Sequence, residues 1–502
     1  MKKYLSLLLC LTLFLMTGCG AGNPADTSKV TTGGDSETEG TKNYELTWYY
    51  DDRISAEDMG YQEKPVIENI EITSKSVSGA DDPAVITYLN GTLYATAVGK
   101  ATVSWGNETY TITVEPAPLS LFMMVGHSLG AGEQGSGSEA VVFPKGKGYG
   151  SYEGNGSRNL SYANMDLNFG LGYFAEKRPQ DIDDICNGVT GEIGAIAYEW
   201  NVLTGEKAWV LDAARGGSRI DMWVPGEDLY VHAVDLYRRA AKIIAAELKA
   251  GHYTLSHLGL LEYNCANGEE WWDKQDYFDT FSRVREGFLK DLAYDFGDGN
   301  MRTIECIGVC PTWYVGTDFN PAGGNAYLFN NGKQVNLWMT ATAQFPEMFL
   351  ASAKPQMWMT LEGIEQYFAE NYPYYETAQG VQKNVPQTYQ QLYADGVHYT
   401  QFAYNAAGIE SAISLYDFLY GDPENGELKL CQQDSRLEAR DTVSATPGKP
   451  IVIVPFSSPS IASRVTTETT GDLKYEFSVL SGTHGTLTFK VGDKVLRTIT
   501  VQ

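Results

Sequence analysis

Leu119-Ser120-Leu121-Phe122-Met123-Met124-Val125-Gly126-His127-Ser128-Leu129-Gly130 is the stretch whose reading decides the fold. The apolar run Leu119 to Val125 reads as a strand buried on both faces. Glycines at 126 and 130 allow a sharp turn past its end, so Ser128 is presented just beyond the strand. Far downstream, Asp395-Gly396-Val397-His398 sets an acid and a histidine three residues apart, ahead of a helical pattern. A serine, a histidine and an acid are the nucleophile, base and orienter that acyl transfer through serine requires.

Working outward, residues 117–425 alternate strands with amphipathic helices. Strands are expected at Ala208–Leu211, Leu258–Tyr263 and Thr303–Val309. Helices are expected at Tyr230–Leu248, Tyr277–Leu292, Val335–Phe345 (ended or kinked by Pro346) and Ala406–Leu419. Such alternation implies a parallel sheet covered by helices on both faces, with ligands beyond the carboxyl ends of its strands. Ser128, Gly217 and Asn264 all fall just after expected strands.

The flanks read differently. Residues 44–116 carry short alternating strands, Ile70–Thr73, Val85–Tyr88, Thr92–Thr96, Ala101–Trp105 and Tyr110–Val114, with Asn90-Gly91 as a hairpin turn. The run Gly91 to Val103 resembles the core of bacterial Ig-like (BIG2-type) modules, which implies a spacer or adhesion role. Residues 426–502 return to short strands, Ile451–Val454, Lys474–Phe477, Thr486–Phe489 and Val495–Val501, with turns at Gly471-Asp472 and Gly492-Asp493. Two small β-sandwiches are therefore expected around one α/β domain.

The N-terminus is read as an export signal. Lys2 and Lys3 precede an apolar stretch, Leu5 to Met16, too short to span a bilayer. Leu15-Met16-Thr17-Gly18-Cys19 then resembles the lipobox of bacterial lipoproteins. That implies a leader over 1–18, cleavage before Cys19, lipid on its thiol and an extracytoplasmic, membrane-anchored address. An ordinary secretory leader with an incidental cysteine is the alternative. Residues 19–43, rich in Gly, Thr, Ser and Asp, read as a flexible tether. The net charge of −26 repels phosphate backbones and disfavours nucleic-acid binding. Cysteine spacings fit neither a zinc ribbon nor a disulfide framework, and Cys306 and Cys310 are expected as buried free thiols.

Gly126-His127-Ser128-Leu129-Gly130 also fits the nucleophile elbow of α/β-hydrolases. That elbow needs a long helix after the serine and sheet strands before it. Here a Gly/Ser-rich stretch follows and a separate β-sandwich precedes. The chain more closely resembles the SGNH/GDSL hydrolases of the sialate O-acetylesterase and acetylxylan esterase-like branch. Four blocks carry the resemblance in order: Met123–Gly132, Ala213–Trp223, Gly259–Asn267 and Asp395–Thr400, with Met339–Gln344 a weaker echo. The implied fold is a three-layer α/β/α flavodoxin-like domain. The implied roles are Ser128 as nucleophile, His398 as base, Asp395 as its orienter, and an oxyanion hole from the N–H groups of Ser128 and Gly217 with the Asn264 side chain. An alternative alignment puts Asn267 in place of Asn264. No metal or other cofactor is implied.

His127 and Trp223 are further candidates for the substrate pocket. Trp271 is another, as a sugar platform or as a packed tryptophan at a helix start. The resulting expectation is a serine esterase removing O-acetyl or similar small acyl groups from an acetylated poly- or oligosaccharide. It touches the membrane only through lipid on Cys19, and its β-sandwiches act as spacers or glycan binders. A lipase or esterase on an α/β-hydrolase fold, and an inactive adhesin retaining the fold, are the competing readings.

Overall fold

The computed structural model describes residues 41–57, 59–77, 83–132, 158–161, 191–263, 274–310, 344–352, 375–377, 380–382, 398–422, 426–432, 440–448, 450–462, 464–476 and 479–502. At its centre is a six-stranded sheet. Its strands are β1 (Ala117–Gly126), β2 (Arg158–Ser161), β3 (Lys207–Asp212), β4 (Tyr253–Tyr263), β5 (Cys306–Val309) and β6 (Met348–Leu350). The spatial order is β6-β5-β4-β1-β3-β2, and every pairing is parallel. Apart from the edge strand β2, this is the order of flavodoxin-like sheets. The chain reverses its direction of travel at β1, so the crevice at the carboxyl end of β1 is the topological switch point.

Among the described residues, the helices that cover the sheet are α1 (Ile193–Thr204), α2 (Asp228–Ala250), α3 (Lys274–Asp291) and α4 (Gln401–Tyr420). Strand alternation divides the core between its two faces. Leu119, Leu121, Met123 and Val125 of β1 pack with Tyr237, Ile244, Phe281 and Phe288 of α2 and α3. Phe122 and Met124 point the other way, to Ile196 and Trp200 of α1 and Ala403 and Tyr404 of α4. The middle layer is thus apolar on both sides, and its burial drives the three layers together.

The expected helices over α2, α3 and α4 are present; α2 and α4 extend beyond the expected bounds at both ends, while α3 starts three residues earlier and ends one residue sooner. Helix α1 was not foreseen, because its sequence Ile193-Gly194-Ala195-Ile196-Ala197 is apolar on nearly every side and shows no amphipathic stripe. The region expected as a helix over 335–345 lies almost wholly outside the described residues. Cys306 and Cys310 are free and buried in the core on the α1/α4 face.

The first β-module has a four-stranded sheet (Lys42–Tyr49, Glu108–Glu115, Gly99–Trp105, Val66–Ile72) and a three-stranded one (Arg53–Ser55, Thr92–Ala95, Ile86–Leu89). Asn90-Gly91 forms the turn of the expected hairpin. Strand Lys42–Tyr49, in which Tyr44, Leu46 and Trp48 alternate with polar residues, was not singled out, and it pairs in parallel with Glu108–Glu115. The core of this module runs without a break into that of the parallel sheet. At the junction Lys207 Nζ meets Asp52 Oδ1 at 2.7 Å, both buried, and Tyr253 donates its hydroxyl to Asp51 Oδ2 at 2.9 Å. Tyr50 stacks on His252 with ring centroids 4.1 Å apart. These contacts lie at the amino ends of β3 and β4, opposite the switch point. The last module packs two four-stranded sheets around Leu430, Ile453, Leu480, Leu487, Phe489 and Ile499.

Candidate active site

The nucleophile turn is built by backbone bonds. Strand β1 ends at Gly126, whose φ is +118°; a Cβ there would lie 1.9 Å from the Tyr263 carbonyl oxygen. Only glycine lets β1 and β4 approach this closely. His127 N–H then donates to that same carbonyl at 3.0 Å, and Ala131 N–H donates to His127 C=O at 3.1 Å. Ser128 is therefore fixed on a single tight turn, 8% exposed, at the carboxyl end of the central strand. Among residues 127–132 there are only turns, with no helix of the length an α/β-hydrolase elbow requires.

The loop after β3 closes over the same strand end. Arg215 N–H donates to Gly126 C=O at 2.7 Å, and Ser218 Oγ donates to the same oxygen at 2.8 Å. Trp223 Nε1–H in turn donates to Ser218 Oγ at 3.2 Å. Gly217, at φ +73°, is exposed with open space where a Cβ would stand. Its backbone can therefore be approached by a ligand, as an oxyanion donor requires.

Two of the residues named as pocket candidates are buried. Trp223 is fully buried, and its role is to hold Ser218 and through it the Gly126 carbonyl. His127 is 1% exposed, and its Nδ1 accepts the Leu129 N–H at 3.3 Å. Burial first, and the charge of His398 second, lower its pKa to about 3, so it stays neutral. Sequence gives no sign of this, because burial of a tryptophan or histidine in a loop depends on what the rest of the chain lays over it.

His398 precedes α4, whose first turn is capped by the Thr400 side chain accepting Ala403 N–H at 3.4 Å. Ser128, just past β1, and His398, just ahead of α4, are 270 residues apart in sequence. Asp395, Asn264, Asn267, Trp271 and Cys19 lie outside the described residues.

Four residues of the site were not foreseen: Ser218, Tyr263, Glu192 and Gln401. The Tyr263 ring stands 6.1 Å from that of His127, edge to face, and its hydroxyl donates to Glu192 Oε1. Burial, and secondarily Glu410, raise the Glu192 pKa to about 8 against the opposing pull of the Tyr263 bond. Ser218 and Tyr263 lie within the blocks already singled out and Gln401 directly follows the last of them, whereas Glu192 carried no such signal. Among the described residues no group of three His, Cys, Asp or Glu side chains is placed to hold a metal ion.

No protein-family profile matches the sequence, and no curated protein matches it. Among solved structures the chain is similar to a protein from Arabidopsis thaliana at 14% identity, covering 59% of this chain and 96% of that one with a TM-score of 0.31. It is similar to Est24, a carbohydrate acetylesterase from Sinorhizobium meliloti, at 12% identity, covering 59% and 98% with a TM-score of 0.27. It is also similar to a carbohydrate acetylesterase from Xanthomonas citri at 11% identity, covering 90% of each chain with a TM-score of 0.30. These likenesses are too distant to bear on function, which rests on the site itself.

Proposed function

We propose that this chain is a serine esterase of SGNH type that removes O-acetyl or similar small acyl groups from carbohydrate. What supports the reading is Ser128 held on a tight turn at the carboxyl end of β1, with the exposed backbone of Gly217 in the loop that closes over the same strand end. In this reading Ser128 attacks the ester carbonyl while His398 takes its proton, and the oxyanion develops toward the N–H groups of Ser128 and Gly217. His398 returns the proton to the leaving sugar oxygen, and water activated by the same imidazole releases the acid. The resemblance implies Asp395 as the residue that orients that imidazole, and Asn264 or Asn267 as the donor of a third hydrogen bond. Among the described residues, no strand of the parallel sheet precedes β1, which favours this reading over an α/β-hydrolase.

The leader and Cys19 place the enzyme outside the cytoplasm on a lipid anchor in this proposal, with acetylated poly- or oligosaccharide as the substrate class. The test is acid release from p-nitrophenyl acetate and acetylated xylan by the protein and its Ser128→Ala variant. Activity lost by a factor of at least about 10³ in the variant supports the serine mechanism. Equal rates in both overturn it and leave an adhesin.

A further inference from the structure

Residues 191 and 192 join the two halves of the site. Gln401, 1% exposed and three residues past His398, makes a two-way bond with one backbone unit: Gly191 N–H donates to Gln401 Oε1 at 3.0 Å, and Gln401 Nε2–H donates to Gly191 C=O at 2.8 Å. The remaining Nε2–H donates to Asn405 Oδ1 at 2.9 Å, one turn along α4. The carboxamide thus has a stated partner for its oxygen and for each of its N–H groups. A hydroxyl, an ionised carboxylate or an apolar side chain cannot supply this combination of one acceptor and two donors.

Gly191 also touches the nucleophile turn. A Cβ on it would lie 2.9 Å from Gly132 Cα. The next residue, Glu192, receives the hydroxyl of Tyr263, whose carbonyl holds His127 N–H. On its other side the Glu192 backbone packs against Gly408 of α4, where a Cβ would lie 2.6 Å from the Glu192 oxygen. A short path therefore runs from the serine turn through Gly132 and Gly191 to Gln401 and the start of the helix that follows His398. Every described residue on it is buried.

We propose that Gln401 is a positioning residue, whose carboxamide sets the start of α4, and so the place of His398, against the Ser128 turn. The proposal rests on the esterase reading above. It follows from the geometry of general-base catalysis, in which the imidazole must sit within hydrogen-bond reach of the hydroxyl. A displacement of about 1 Å costs on the order of 100-fold in rate without touching substrate contacts.

The experiment measures kcat and KM on p-nitrophenyl acetate for wild type, Ser128→Ala, Gln401→Met and Asn405→Leu, each also followed by a thermal melt. Gln401→Met keeps the side-chain volume and removes all three hydrogen bonds. It is expected to lower kcat roughly 10- to 100-fold with KM within about twofold of wild type. Asn405→Leu removes the acceptor of the second Gln401 Nε2–H and is expected to lower kcat several-fold with the same constancy of KM. A Gln401→Met protein that melts cooperatively and keeps wild-type kcat overturns the proposal. If that variant does not fold, an unchanged kcat in Asn405→Leu does so instead. A wild-type rate no higher than that of Ser128→Ala overturns the esterase reading, and the role of Gln401 in it.

Discussion

Replacing Gly126 by alanine tests the architecture of the site most directly, because the structure gives each contribution to the cost. The new Cβ would stand 1.9 Å from the Tyr263 oxygen, where ordinary contact begins at 3.4 Å. The ends of β1 and β4 must then part by about 1.5 Å, more than a close-packed interior absorbs without losing contacts. That separation breaks the 3.0 Å bond from His127 N–H to Tyr263 C=O and leaves a buried donor unpaired, at about 1–3 kcal/mol. Holding alanine at φ +118° adds about 1–3 kcal/mol. The sum, roughly 2–6 kcal/mol, is a large part of the 5–15 kcal/mol typical of a folded domain. Gly217→Ala is the matched control: its φ is also positive, at +73°, but its Cβ would meet nothing within 4 Å, so only about 1 kcal/mol of strain is expected. Urea denaturation of the two variants beside wild type gives both numbers. Equal costs at the two glycines would refute the claim that close approach of β1 and β4 defines the nucleophile turn.

Two further predictions follow from buried charge. His127 has its pKa lowered from 6.5 to about 3 by burial and then by His398, so its contribution to stability is complete above pH 6.5 and is lost as pH falls toward 3. Between pH 7 and pH 5 wild type should lose about 2 kcal/mol more stability than His127→Gln, as read from urea midpoints at each pH; the Glu192 titration, common to both proteins, cancels in the difference. Lys207→Met leaves Asp52 buried without its cation and should cost about 3–5 kcal/mol, while adding Asp52→Asn should restore much of that loss. Identical calorimetric melts for the single and double variants would show that this pair does not tie the first β-module to the parallel sheet.

The legible part of the molecule is the part that local sequence controls. The run ending at Gly126 announced its strand because every residue from Leu119 to Val125 faces one of two apolar layers, apart from Ser120. Asn90-Gly91 announced a hairpin because that dipeptide suits its turn. Helix α2 showed its period through one buried stripe. By contrast, α1 is buried on most sides and carried no such stripe. Strand Lys42–Tyr49, with its mixed exposure, is a strand because it pairs with Glu108–Glu115.

The candidate site divides in the same way. Its reactive residue types and their order along the chain are local facts, and they point to Ser128 and His398 without coordinates. Which side chains hold them could only be decided in three dimensions. His127 and Trp223 looked available to a ligand, yet they became buried supports once β4, α4 and the loop after β3 were laid around them. Gln401 looked like any polar residue at a helix start until Gly191, 210 positions earlier, came to lie against it. The chemical capacity of this protein was written in its residues; burial and long-range pairing, which depend on the whole fold at once, determined which of them face the site and which hold it in place.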